Sequence, residues 1–220
     1  MRERIKTIQF QGEAGTIDCA LDWPDEGQAL QGWALILHPH PLHGGARDNK
    51  VVTTMSRAAV QQGLLAVRPN FRGVGLSAGQ FDKAVGETAD MLALVEQFTQ
   101  QYTDLAQAKW ALAGFSFGTA VAAQLYSALR EQQRTLPQAL ILAGPAVERF
   151  RFRELSLPED TLLIHGEADE VVPLSEAMDF ARAQGLPITL LPDSSHFFHG
   201  RLLTLRQVVA QRLATLGLTL

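Results

Sequence analysis

Six short apolar runs constrain this chain most: Ala34–His38, Leu64–Pro69, Trp110–Phe115, Ala139–Ala143, Thr161–His165 and Ile188–Leu191. Their apolar character is continuous rather than alternating, so each reads as a strand buried on both faces, as in a parallel sheet. Segments with helical periodicity separate them, and this strand–helix repetition places the chain in the α/β class. Ahead of these runs, Arg4–Gln11 and Thr16–Asp22 do alternate, around a Glu-Ala-Gly turn. That pattern predicts an antiparallel hairpin at one edge of the sheet.

The helices have readable ends. Asn49 is placed to cap a helix reaching about Gln62 and stopping at Gly63. Asp82 is the expected cap of the next, with Val85, Ala89, Leu92, Val95, Phe98 and Tyr102 on its inward face. A third starts near Ser116 and carries Val121, Leu125 and Leu129. A fourth begins at Pro173 and ends near Gly185. The last covers Arg201 to Leu216, with Leu205, Val209, Leu213 and Leu216 inward. The connection from Ala143 to Thr161 is too short for a lid of several helices.

Composition narrows the function classes. The 220 residues, 46% of them apolar, suit one domain over 1–220 with one large core. No apolar run is long enough for a membrane helix. A net charge of −4 without a basic run argues against nucleic acid as a partner. Cys19 stands alone, which excludes an internal disulfide and a thiolate metal cluster. The start, MRERIKTIQF, has charge but no apolar h-region, so the expected location is cytoplasmic.

Gly114-Phe115-Ser116-Phe117-Gly118 follows a strand and opens a helix. This is the G-x-S-x-G nucleophile elbow in the context that it requires. The turn is so sharp that a Cβ two positions either side of the serine would strike neighbouring backbone, hence glycine. The hydroxyl projects at a helix N-terminus, where negative charge is favoured, and the Phe117 amide is placed as an oxyanion donor. A serine that merely caps a helix between two turn glycines is the bland alternative.

A serine hydroxyl needs a histidine base, and the histidine needs a carboxylate to fix its tautomer. Where such an elbow supplies the serine, the order is Ser, acid, His, each after a later strand. The run after Thr161–His165 offers Asp169, with Glu167 and Glu170 as competitors. The run after Ile188–Leu191 offers His196, with His199 three residues on and expected in the last helix.

These segments resemble the α/β-hydrolase family from about Trp33 to Phe198. The resemblance rests on the elbow, on His-Gly-Glu-Ala-Asp-Glu-Val-Val-Pro at 165–173, on Ser-His-Phe-Phe at 195–198 and on Asn-Phe-Arg-Gly-Val-Gly-Leu-Ser at 70–77. His-Pro-His-Pro-Leu-His-Gly-Gly at 38–45, with Asn49-Lys50-Val51-Val52, is similar to a group of small lidless bacterial serine hydrolases described as predicted esterases. The resemblance implies an α/β-hydrolase fold with a mostly parallel eight-stranded sheet flanked by helices, no lid, and a Ser116–Asp169–His196 triad. It places the second oxyanion donor in the loop after the third strand. Pro39 and Pro41 have no N–H, which leaves His40, the position aligned with the family's His-Gly pair, or Leu42.

Other readings compete for the same residues. His38, His40 and His43 form H-x-H-x-x-H, a pattern similar to a zinc-hydrolase cluster, with His165 and His199 needed to complete it. Against it, Leu42 stands where an aspartate is usual, and the expected metal and cofactor set is none. Gly73-Val74-Gly75-Leu76-Ser77-Ala78 matches G-x-G-x-x-A, but Gly79-Gln80-Phe81 separates it from the next helix, so no dinucleotide site is expected. Arg72 either pairs with a carboxylate or binds a substrate anion. Phe71, Phe115, Phe117, Phe197 and Phe198 either ring the site or pack the core, with Phe117 the best pocket candidate. The expected activity is cleavage of a small ester or thioester through an acyl-enzyme on Ser116, with amides also open. The rival from another class is a non-catalytic binding protein on the same fold.

Overall fold

A computed structural model describes residues 5–217. Its strands are β1 (Ile5–Gly12), β2 (Gly15–Asp22), β3 (Gly32–Leu37), β4 (Leu64–Pro69), β5 (Lys109–Phe115), β6 (Ala139–Ala143), β7 (Leu162–Gly166) and β8 (Ile188–Leu191). Its helices are α1 (Lys50–Gln61), α2 (Val85–Gln101), α3 (Thr103–Ala106), α4 (Phe117–Glu131), α5 (Leu174–Gln184) and α6 (Leu202–Ala214). The strands form one eight-stranded sheet in the order β1-β2-β4-β3-β5-β6-β7-β8. β1 and β2 pair antiparallel, β2 joins β4 antiparallel, and every later pairing is parallel. The expected fold class is therefore observed, hairpin included, although Arg4 lies outside the described residues.

The two faces of the sheet differ because strand side chains alternate. Small residues, Ala34, Ala66, Ala111, Ala113, Ala139 and Ala143, face α1 and α6. Their size lets those helices approach closely through Val52, Met55, Leu205 and Val209. Leu35, Leu65, Leu112, Leu140 and Leu142 face the other way, onto α2 and α4. Between β6 and β7 stands only a 3-10 turn at Val147–Phe150 and extended chain, so no lid covers that edge. Among the described residues no helix is long and apolar enough to cross a membrane.

One helix departs from the expected start. Asp82 does not end the loop: Lys83 and Ala84 follow in left-handed conformations (φ 49° and 75°), and α2 begins at Val85. Glu87, fully buried, supplies the cap by accepting the amides of Asp82 (2.8 Å) and Ala84 (2.9 Å), while Asp82 accepts that of Gly86 (3.1 Å). The inward face is rotated with it. Met91, Leu94, Val95 and Phe98 enter the core, Asp90 is buried too, and Val85 is 46% exposed.

Candidate active site

Ser116 joins β5 to α4 at φ 53°, ψ −119°, a strained conformation that its neighbours enforce. Its amide donates to Ala143 O (2.9 Å), which extends the β5–β6 ladder by one residue. Its carbonyl accepts both the amide (2.9 Å) and the hydroxyl (2.5 Å) of Thr119. A Cβ on Gly114 would lie 2.2 Å from Gly118 O, and one on Gly118 would lie 2.5 Å from Leu37 O. Both glycines of the elbow are thus required by close backbone approach.

The loops after β7 and β8 meet above this turn. His196 Nε2 is 2.9 Å from Ser116 Oγ, and His196 Nδ1 is 2.7 Å from Asp169 Oδ2. The other oxygen, Asp169 Oδ1, accepts the amides of Val171 (2.9 Å) and Val172 (2.7 Å). Burial pushes the Asp169 carboxyl up, but the bonds from His196 and from the Val172 and Val171 amides outweigh it and hold its pKa below the ordinary value. The sequence-predicted Ser116, Asp169 and His196 are therefore brought into one hydrogen-bonded chain. The competing acids have other partners: Glu167 accepts the Asp193 amide (3.1 Å) and Glu170 the His196 amide (3.2 Å). His199 does not enter the last helix as expected. It stays in the turn before α6, with Nδ1 3.4 Å from Ser195 Oγ, because Phe198 and Gly200 adopt positive φ.

The histidine loop after β3 forms a 3-10 turn at Pro41–His43. The Leu42 amide donates to His40 Nδ1 (3.2 Å), and the amides of His43 and Gly45 donate to His40 O (3.1 and 3.0 Å). The amides of His40 and Phe117 have no acceptor among the described residues. Of the two loop amides weighed for the oxyanion, Leu42 is thus engaged and His40 is open. His38 is wholly buried and neutral. Its Nε2 accepts the Phe71 amide (2.9 Å), so its Nδ1 carries the hydrogen, which it donates to Pro39 O (2.6 Å). Burial lowers its pKa to about 4, with the Pro39 bond opposing. With both nitrogens committed to backbone, His38 is unfit as a metal ligand. Among the described residues no three His, Cys, Asp or Glu side chains are grouped to hold a metal.

The FSH1 serine hydrolase family matches residues 76–198, more than half of the chain. This chain belongs to that family. A solved lidless α/β serine hydrolase from Xanthomonas campestris is 35% identical, with a TM-score of 0.88 over 100% of this chain and 99% of that one. An α/β serine hydrolase homologue from Coxiella burnetii is 34% identical, with a TM-score of 0.82 over 95% and 97%. An uncharacterised protein of Rickettsia prowazekii is 36% identical over 149 residues, and this match spans 66% of the chain and 60% of that relative's length.

Around the elbow of this FSH1-family chain, the aromatic ring differs from the expected set. Phe71, Phe115, Phe117 and Phe198 are buried, and Phe197 is the exposed one. Phe81 and Phe150, which the sequence reading missed, pack with His40 and Phe117 at centroid distances of 4.5 to 5.4 Å. Neither lies in an α-helix or a strand, so only their aromatic character could have marked them. Arg72 is structural: Nε and Nη2 grip Asp90 Oδ2 (2.6 Å) and Oδ1 (3.0 Å). The glycine-rich stretch at 73–79 is a loop without a helix at its end, as expected.

His165 is a further buried group beside the acid. Its Nε2 donates to Val172 O (3.0 Å) and lies 3.6 Å from Asp169 Oδ2. Its pKa is lowered by burial, which Asp169 and the Val172 carbonyl oppose.

Proposed function

We propose that this protein, acting as one α/β-hydrolase domain, cleaves a small ester or thioester by acyl transfer through Ser116. The observation that carries the reading is the continuous chain from Ser116 Oγ through His196 (2.9 Å) to Asp169 (2.7 Å). Ser116 attacks the carbonyl carbon while His196 Nε2 takes its proton. Asp169 accepts the Nδ1 hydrogen, which leaves Nε2 free as the base and stabilises the imidazolium that follows. The developing oxyanion is held by the open amides of Phe117 and His40, the first of them at the positive end of α4. His196 then returns its proton to the leaving group. Water, activated by the same imidazole, releases the acyl group from Ser116. With no lid to close over the site, a small dispersed ester suits it better than a lipid surface.

The test is labelling with a fluorophosphonate probe, mapped by peptide mass spectrometry, beside hydrolysis of a short-chain p-nitrophenyl ester. The expected adduct is on Ser116, and Ser116→Ala abolishes it while lowering kcat by about 10⁴-fold or more. A folded protein that neither labels nor hydrolyses would turn the reading to a non-catalytic binding role.

A further inference from the structure

The segments that carry Asp169 and His196 are laced together beyond the contact between the two side chains. The Glu167 amide donates to Leu191 O (3.0 Å) and the Ala168 amide to Ser194 O (3.0 Å). A Cβ on Gly166 would lie 2.3 Å from Ser194 O, so the two backbones touch there. In return, the Asp193 amide donates to Glu167 Oε2 (3.1 Å) and the amide of His196 itself to Glu170 Oε2 (3.2 Å). The His196 segment needs this external hold. Asp193 (φ 52°) and Phe198 (φ 54°) stand on either side of the base in left-handed conformations that non-glycine residues seldom keep unaided.

We infer that Glu170 is a positioning residue for the base: its carboxylate oxygen fixes the backbone of His196, and through it the ring that reaches Ser116. The inference rests on the proposed roles of Ser116 and His196. It assigns Glu170 an anchoring role in which the acceptor oxygen matters and the negative charge does not. Glutamine keeps such an oxygen, and alanine removes it. Glu170 is exposed, so neither change opens a cavity. A displacement of the base by a fraction of an ångström lowers turnover without altering substrate contacts.

The experiment compares wild type, Glu170→Ala and Glu170→Gln by steady-state hydrolysis of a p-nitrophenyl ester and by hydrogen exchange of the His196 amide. Glu170→Ala is expected to lower kcat by about tenfold with KM unchanged, and to speed exchange at His196. Glu170→Gln restores both. Equal loss in the two variants, or unchanged exchange in Glu170→Ala, overturns the inference. If the wild type carries no hydrolase activity, the proposed function fails, and the amide-exchange comparison alone decides whether Glu170 anchors His196.

Discussion

The Phe71 amide donates to Nε2 of His38 over 2.9 Å, which ties the loop after β4 to the loop after β3 through a neutral, buried imidazole. Protonation would abolish this acceptor. The His38 pKa is lowered from 6.5 to about 4, so from pH 6.5 downward the unfolded chain binds a proton that the native protein refuses. Stability is therefore full above pH 6.5 and falls as pH drops toward 4, by up to about 3 kcal/mol from this group. His165, lowered by burial, adds loss in the same direction. Urea unfolding at pH 7.5, 5.5 and 4.5 checks this. The wild type should weaken stepwise, and His38→Gln should show a shallower decline from a lower starting value.

Arg72 and Asp90 form a two-pronged pair whose side chains are only 11% and 5% exposed. Asp90 Oδ1 also accepts the Glu13 amide (3.0 Å), so the pair joins the hairpin turn, the β4 loop and α2. Asp90→Ala strands a guanidinium whose remaining acids, Glu13 and Asp82, are each 3.7 Å away. The expected loss is about 3 kcal/mol in denaturant unfolding. Adding Arg72→Ala should recover part of it, because the stranded charge is gone. Arg72→Ala alone should leave KM for an anionic ester unchanged, and a marked rise in that KM would revive the substrate-anion reading.

What the sequence made legible, and what it hid, divides along physical lines. Ser116, Asp169 and His196 each lie just past a strand whose apolar run is unmistakable, and the glycines at 114 and 118 mark a turn that few other residues permit. The rotation of α2 was hidden because a hydrophobic stripe assumes that buried positions are apolar, whereas Glu87 and Asp90 are buried against backbone amides and Arg72. That the Leu42 amide is engaged while the His40 amide stays open was hidden too, because a ring nitrogen of His40 takes the Leu42 amide, a contact set by the 3-10 turn and unmarked by residue type. Phe81 and Phe150 come from separate loops, and only the tertiary fold brings them to Phe117.

Gly118→Ala should damage the elbow through the neighbouring strand. The added Cβ falls 2.5 Å from Leu37 O and 2.7 Å from His38 O, and backbone cannot yield as a flexible side chain would. Either α4 moves away from β3 or the histidine loop shifts, and both displace the His40 amide relative to Ser116. The expected cost is about 1–3 kcal/mol of stability, seen as a lower Tm, with kcat reduced by more than the folded fraction accounts for. Thermal unfolding and active-site titration with the fluorophosphonate probe separate the two effects.

Asp169→Asn should reverse the tautomer of the base. Asp169 Oδ1 accepts two backbone amides, from Val171 and Val172, and Oδ2 faces His196 Nδ1. An asparagine must turn its single oxygen toward those two N–H donors, since its NH₂ would otherwise confront both. The NH₂ then points at His196 Nδ1, which can only accept, so the ring hydrogen moves to Nε2. That nitrogen now presents N–H to Ser116 Oγ and cannot remove its proton. The expected fall in kcat is about 10⁴-fold with KM little changed and the melting temperature near that of wild type. Glu170→Gln, which keeps its acceptor, should fall far less. Steady-state hydrolysis of the same p-nitrophenyl ester by both variants decides it: comparable losses would transfer the orienting role away from Asp169.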